Sequence, residues 1–465
     1  MTKNLFLVLL FAVQTAFAQI ISKDPSFATN GKYPMPGNLT WSMAQNPGGE
    51  IYFSYNTSIS SSPLNVTGSY VSKLTPNGTV DTNFGVNGTV QLPNNSYLNE
   101  VKIQSDGKLI VFGFTNTESV AISRILPNGL PDLTFGTNGT VTVPSLVPDQ
   151  NYTSYGIILQ NDKILVHAIK YIQNVQHQHV IFRLNTNGSL DTTFGNNGYT
   201  ATKGTPPGRT FVRIDNQSNI ICFNSNSGFI QKFNLDGQPI TNFGNNGVLS
   251  FVDANGYGYG GTNAVFVDSN NKILFALSSD DKLHRLNQDG TFDNTFNYNV
   301  DANSGLNGGA WIQSITEKGG SYYVGGAGNS INLISKISQS GLVDPLFNDY
   351  LQTDSDVEEM FINTNNIMIR GNGYIVKYLL SNGSLSTIDM AKASPAVSFE
   401  NPVKQNLIYQ SKEKVSKIEI STADGKLVRT IKNSGSSFSD IPKGIYFAKV
   451  TFENGKIITE KLIKE

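Results

Sequence analysis

One cysteine in 465 residues excludes a disulfide within the chain and any cysteine-based zinc site. Cys222 stands in the apolar run NIICF, the setting of a small buried hydrophobe in a strand. Charge is scarce as well: 15% of residues carry it, and 34 basic against 35 acidic side chains leave a formal net charge of −1. That balance gives no footprint for nucleic acid or an anionic membrane surface. Past the leader, no stretch reaches the roughly 18 apolar residues of a membrane helix. What fills the chain instead is Asn, Ser and Thr, with 44 Gly and 27 Phe, a composition of short strands between tight turns.

The leader MTKNLFLVLLFAVQTAFAQ has a basic residue at Lys3, an apolar run from Leu5 to Val13, and small residues at Ala16 and Ala18. It reads as a signal peptide over residues 1–18, with cleavage between Ala18 and Gln19. The mature chain is therefore expected outside the cytoplasm, with no transmembrane segment.

Internal repeats organise the rest. DTNFGVNG from Asp81, DLTFGTNG from Asp132 and DTTFGNNG from Asp191 share a spelling with DPSFATNG from Asp24. The motif phenylalanine recurs at Phe27, Phe84, Phe135, Phe194, Phe243, Phe296 and Phe347. Its mean spacing, about 53 residues, is near that of propeller blades. Asp stands three residues ahead of six of these Phe, and Ile240 takes its place in the fifth. Each full unit reads as four strands, as in NEVKIQ, KLIVFGF, VAISRIL and TVTVP, with Asp-Gly and Asn-Gly turns between alternating apolar runs. Seven bodies are present, and the last has no tail, whereas the N-terminal copy is a tail without a body. Pairing the two predicts an all-β, seven-bladed β-propeller closed by an N-terminal strand, spanning residues 19–390. An open stack would need polar caps at its ends and leaves the complementary halves unexplained.

The spelling LTPNGTVDTNFGVNGTV, with IQSDGKLIVFG as its companion, resembles the delta-60 repeat family of bacterial surface and secreted proteins. The resemblance implies a propeller-like fold and extracellular display, and brings no catalytic residues. From about Ala391 the chain turns lysine-rich, with short alternating strands that read as a small β-sandwich. The pair Asn401-Pro402, the turn Asp424-Gly425-Lys426, the run Gly444-Ile445-Tyr446 and the terminal lysines resemble the type A sorting domain of the type IX secretion system, a Bacteroidetes family. Phe399-Glu400 replaces the tyrosine usual before Asn-Pro. The resemblance implies an Ig-like C-terminal secretion sorting domain over 397–465, an outer-membrane translocon as partner, a route through the periplasm, and residues 391–396 (KASPAV within 392–397) as an exposed linker.

Strand order places the repeated turns on one face and the variable loops on the other. The repeated Phe reads as a wedge between blades and Asp as a turn residue. The variable face carries Tyr97, Tyr152, Tyr155, Tyr257, Tyr259, Tyr298 and Trp311 among Asn and Gly. Aromatic faces beside amides suit an extracellular polysaccharide or a protein ligand. Glu100, Glu358 and Glu359 fall at the entrances of first strands, where paired carboxylates around a channel suit a glycosidase. The equivalent positions hold Gly156, Phe211 and Ala264, no converging acid cluster, so no catalytic residue is assigned. His177 and His179 share one strand face. Without a third ligand they read as a solvent-facing pair, and no metal or cofactor is expected. NTNGSLD and NQDGTFD lack the terminal bidentate acid of a calcium loop. These readings converge on a non-enzymatic binding or scaffold module, secreted or held at the cell surface. The alternatives are a propeller glycoside hydrolase or polysaccharide lyase, and a purely structural surface component.

Overall fold

A computed structural model describes residues 19–36, 39–61, 64–92, 97–115, 119–143, 146–147, 156–170, 178–203, 210–224, 228–251, 262–277, 282–299, 311–328, 331–344, 347, 356–371, 373–382, 397–422, 426–453 and 457–465. Every regular element among them is a β-strand. Contacts divide the chain into two compact units, Met1–Gly383 and Ser384–Glu465.

Among the described residues the first unit is a succession of seven small antiparallel sheets. The second of them shows the pattern: Tyr97–Ile103, Leu109–Phe114, Val120–Ile125 and Thr140–Val143, each hydrogen-bonded to the next. The two middle strands are buried throughout, as expected of strands covered by a sheet on either side. First strands touch first strands from sheet to sheet, and Glu359–Ile362 of the seventh touches Leu39–Gln45 of the first. The order is therefore cyclic. In the seventh sheet, Tyr374–Asn382 pairs with Gln19–Lys23, in register from Gln19↔Asn382 to Lys23↔Tyr378, and with Lys32–Pro34. The N-terminal tail fills the place of the missing one, as the repeat count predicts. The residues just ahead of it pair too. In other sheets the third strand folds back on itself across its turn, as in Ile125↔Pro131; here it runs on to Asn382 and Gln19–Lys23 takes the returning position.

The junction between sheets explains the spelling of the repeat. Phe135 is fully buried among Ile110, Phe112 and Ile122 of its own sheet and Ile164, Val166 and Leu184 of the next. Phe27 joins Met368 and Ile375 of the seventh sheet to Met43, Phe53 and Leu74 of the first. In each copy the Phe N–H closes a turn on the carbonyl three residues back, at 3.0–3.1 Å, and at Asp24, Asp81, Asp132, Asp191 and Asp293 the carboxylate accepts from the backbone two residues on, as Asp132 does from Thr134 at 3.0 Å. The next N–H then crosses to the following sheet's Gly turn: Gly85 to Asn128 O, Gly136 to Asn187 O, and Ala28 to Asn77 O, the last at 2.8 Å. The turn glycine beyond that carbonyl is a close approach. A Cβ on Gly129 would lie 2.3 Å from the Gly85 nitrogen, at a φ of 90° that favours glycine.

A basic residue eight positions before the motif Asp completes the junction. Arg124 pairs with Asp132 at 2.8 Å and Arg183 with Asp191 at 2.7 Å, all four nearly without exposure. Lys73–Asp81, Arg285–Asp293 and Lys336–Asp344 repeat the pair, and Lys377–Asp24 makes it at 3.2 Å between the two ends of the unit. The same cation donates onward to the following turn, Arg124 to Thr186 O, Arg183 to Leu235 O and Lys377 to Pro76 O. Arg124, Arg183 and Arg285 also lie over their motif rings at 4.6–4.7 Å.

The second unit has its own core, built from Val403, Ile418, Ile420, Phe438, Ala448 and Val450 among others. A four-stranded sheet runs Leu427–Ile431, Val415–Thr422, Gly444–Phe452, Ile457–Lys464, with two short two-stranded pairs beside it.

Because Phe27 sits between the seventh and first sheets, at opposite ends of the unit in sequence, Phe27→Ala tests the closure. The substitution is expected to destabilise the first unit by about 3–5 kcal/mol, read as a lower urea midpoint. An unchanged midpoint would mean that the N-terminal segment is not part of the seventh sheet.

Candidate functional site

The inner edge of each first strand presents backbone groups that no fifth strand covers, and side chains of the preceding sheet reach over to meet them. Glu100 Oε2 accepts from the Ile157 N–H at 2.7 Å, while Oε1 takes Lys102 at 2.5 Å. Glu359 Oε2 accepts from the Met43 N–H and from Arg370 Nε, both at 2.7 Å. Glu358 takes the other arm of Arg370. Arg213 does the same with opposite polarity, donating Nε to Val265 O at 2.8 Å. Burial lowers its guanidinium from the ordinary value, against the opposing pull of Glu100 and Glu359. The carboxylates considered for hydrolysis are thus acceptors that fasten adjacent first strands. An acid pair needs both carboxyls open to substrate and water; Glu100 and Glu359 are instead occupied by a backbone N–H of the next sheet and by a basic side chain.

The aromatic set separates. Tyr97 opens the first strand of the second sheet, opposite Phe114, and Trp311 opens that of the sixth, opposite Ala327. Tyr298 is 2% exposed and packs in the core between the fifth and sixth sheets with Tyr322 and Ile312. Its strand pairs with Lys282–Leu286, which turns the ring inward and removes it from any ligand face. Tyr152, Tyr155, Tyr257 and Tyr259 lie outside the described residues. On the opposite face, the repeated turns carry the exposed large hydrophobics of this unit, among them Val86, Leu130, Leu133, Phe292 and Leu342.

His179 is not solvent-facing. It is fully buried, and its ring stacks on His167 at 5.2 Å with Nδ1 3.3 Å from His167 Nε2. The register Ile169↔His179 and His167↔Ile181 makes the two rings diagonal neighbours on one face, a contact invisible without the pairing. His177 lies outside the described residues. Among the described residues no group of three or more His, Cys, Asp and Glu is placed to hold a metal. Cys222 is buried opposite Val212, and burial pushes its thiol up to about 12, so it is no nucleophile.

In the second unit, the Asn401 side chain works as a piece of strand. Its Nδ2 donates to Lys461 O at 2.9 Å and its Oδ1 accepts from the Ile463 N–H at 2.8 Å, and beyond Pro402 the Val403 N–H bonds Ile463 O at 2.7 Å. Tyr446 is buried with its hydroxyl on Pro442 O at 2.9 Å, whereas its neighbours Gly444 and Ile445 are exposed. Lys426 O accepts from the Thr422 N–H at 3.0 Å; Asp424, Gly425 and Ala18 lie outside the described residues, and the backbone of Gln19 pairs with Asn382.

Residues 399–465 match the family described as the secretion system C-terminal sorting domain. Residues 104–135, 160–194 and 269–296 match a β-propeller domain of unknown function. The chain is a propeller protein with a type IX secretion sorting tail, which marks it for export to the cell surface or for secretion. No curated protein matches the sequence. Among solved structures, a catalytically inactive virginiamycin B lyase from Staphylococcus aureus with quinupristin superposes with a TM-score of 0.51 at 13% identity, covering 78% of this chain and 100% of that one. A streptogramin B lyase gives 0.51 at 12% identity, with 79% and 99% covered. At these identities the likeness is one of fold.

The clamped aspartates make stability depend on pH. Burial alone would raise the Asp132 carboxyl, but hydrogen bonds from Thr134 and the charges of Arg124 and Lys108 outweigh it and hold it at about 2. Asp191 and Asp293 are also held well below the usual range by their basic partners and the following Thr, against burial. A carboxyl lowered on folding stabilises the native state above its unfolded value near 4, and that contribution is lost as pH falls through the folded value. Each such aspartate is worth roughly 2 kcal/mol. Acid unfolding is therefore expected between about pH 4 and pH 2. Asp132→Asn should be less stable at pH 7 and lose less over that window; a variant with the wild-type pH slope would contradict the assignment.

Proposed function

We propose that the protein is a non-enzymatic binding or scaffold module displayed outside the cell, in the form of a seven-bladed propeller closed by its own N-terminal strand. The seven sheets are its blades, over residues 19–390. A leader over 1–18 is removed between Ala18 and Gln19, and the chain passes through the periplasm. Residues 391–396 link it to an Ig-like sorting domain over 397–465. The four-stranded sheet and the Tyr446–Pro442 bond support the Ig-like form, since a buried tyrosine bonded to backbone a few residues upstream is a hallmark of such sandwiches. The observation that carries the choice of binding over hydrolysis is the engagement of Glu100 and Glu359 by the backbone of the next first strand. Propeller folds host many activities, so the choice rests on these residues and not on the fold. The binding face is the one with the variable loops, where Tyr97 and Trp311 begin their strands, and its ligand class is an extracellular polysaccharide or protein.

Two experiments test this reading. Removing residues 399–465 is expected to leave the protein inside the cell envelope by surface proteolysis, while the full chain is exported; export of the truncated form would refute the role of the tail. Screening the purified protein against a polysaccharide panel should give binding without release of reducing ends. Trp311→Ala is expected to weaken binding by about tenfold, as loss of one stacking contact does. Glu100→Ala should instead lower stability by about 1–3 kcal/mol through an unpaired N–H, with binding intact. New reducing ends that vanish in Glu100→Ala would overturn the proposal in favour of a hydrolase.

A further inference from the structure

The repeat supplies its own controls, and they single out a ring that the junctions do not require. Tyr55 follows Ile51 and Phe53 on the face of the first sheet that packs against the seventh. The corresponding second-strand positions of the other sheets hold Gly113, Ala168, Asn224, Leu277, Gly326 and Gly371, none of them aromatic. Tyr55 extends a ladder of rings out of the core. Tyr33, on the N-terminal strand of the seventh sheet, lies 5.8 Å from Phe53. Phe53 stacks on Tyr55 at 5.8 Å, and Tyr55 stacks on its direct cross-strand partner Tyr70 at 5.1 Å with 18° between the planes. A Cβ on Gly68 would collide with the Tyr70 ring, so the glycine lets that ring lie against its own strand.

The ladder ends in hydroxyls that the protein leaves unused. Elsewhere buried tyrosines are tied: Tyr322 meets Asp268, Gln339 and Arg285, and Tyr446 meets Pro442 O. Among the described residues no group meets the hydroxyl of Tyr33, Tyr55 or Tyr70, and none of the three oxygens is sealed from the surface. Tyr33 and Tyr70 are half-buried, so their ring bodies are held while their polar ends are open. Burial, and then the Tyr55 hydroxyl, raise the Tyr33 phenol above its ordinary value, which keeps it a neutral donor. Tyr55 and Tyr70 stand on a hairpin, Ile51–Ser61 and Leu64–Leu74, with 11 residues in each strand. Second strands of the other sheets have 5 to 8. The shelf of tyrosines therefore lies at the foot of a hairpin that projects on the side of the variable loops.

We propose that this shelf binds a neutral glycan chain, whose hydroxyls bond the phenols of Tyr33 and Tyr70 while a sugar C–H face lies on the Tyr70 ring. Each phenol both donates and accepts, as each sugar hydroxyl does. A guest that alternates hydroxyls with flat C–H faces meets phenol and ring together. The members of the ladder carry no charge, which matches a neutral guest. The inference rests on the reading of the first unit as a binding module; it names the ligand class and adds a subsite at the closing junction, apart from Tyr97 and Trp311.

Calorimetric titration of the full chain with cellohexaose, laminarihexaose, xylohexaose and mannohexaose is expected to give saturable binding of at least one. Tyr33→Phe and Tyr70→Phe keep the rings in place and should each weaken it about fivefold, the loss of one hydrogen bond. Tyr409→Phe, in the second unit, should leave it unchanged. Bound glycan should also shield Tyr33 and Tyr70 from nitration by tetranitromethane, read by peptide mass, an effect that a merely structural role would not produce. No saturable binding, undiminished binding in both Phe variants, or unshielded tyrosines would each overturn the proposal. So would binding of hexaproline that falls in the same variants, which would assign the shelf to a peptide. Glycan binding that is lost in Trp311→Ala but intact in both Phe variants would overturn the shelf and leave the binding module standing. Release of reducing ends would overturn both.

Discussion

The paired charge between each third strand and the turn that follows it is the contact on which the first unit depends. One cation holds the aspartate of its own turn, lies over or beside the motif phenylalanine, and donates to the turn of the next sheet. Three elements are thus fixed by one side chain. A buried cation of this kind tolerates no vacancy, because leaving it unpaired exposes the full desolvation penalty. The fourth sheet shows the constraint. Ile240 replaces the aspartate, and Lys232 turns to Asp215, just past the first strand of its own sheet, 3.1 Å away. The partner changes and the pairing stays.

The clamp also explains the closure of the ring. Lys377 meets Asp24, lies 5.8 Å from the Phe27 ring, and reaches Pro76 O in the first sheet. The last junction is therefore chemically the same as the others, although its parts come from opposite ends of the unit. Closure of this kind leaves the cyclic order without a break, and the N-terminal residues are locked by the same hydrophobic wedge as any internal copy.

A ring built this way divides its residues between holding and binding. The inner edges of the first strands must be satisfied, so Glu100, Glu359 and Arg213 serve the backbone of the neighbouring sheet. The turn face is governed by the junctions, whose cations fasten each turn to the next sheet.

The sequence by itself determined the strand pattern, the seven phenylalanine wedges and the pairing of first tail with last body, because these depend on period, turn chemistry and local spelling. It also determined the sorting tail, whose motif residues lie in order over one short segment. The basic partner of each motif aspartate was present eight residues upstream, at Lys73, Arg124, Arg183, Arg285, Lys336 and, by closure, Lys377, a signal that a search for acids alone passes over. Only the tertiary structure decided that Tyr298 faces the core, that His179 stacks on His167, and that Glu100 and Glu359 hold backbone. Each of those outcomes rests on cross-strand register or on the neighbouring sheet, and neither is encoded within reach of the residue's own segment.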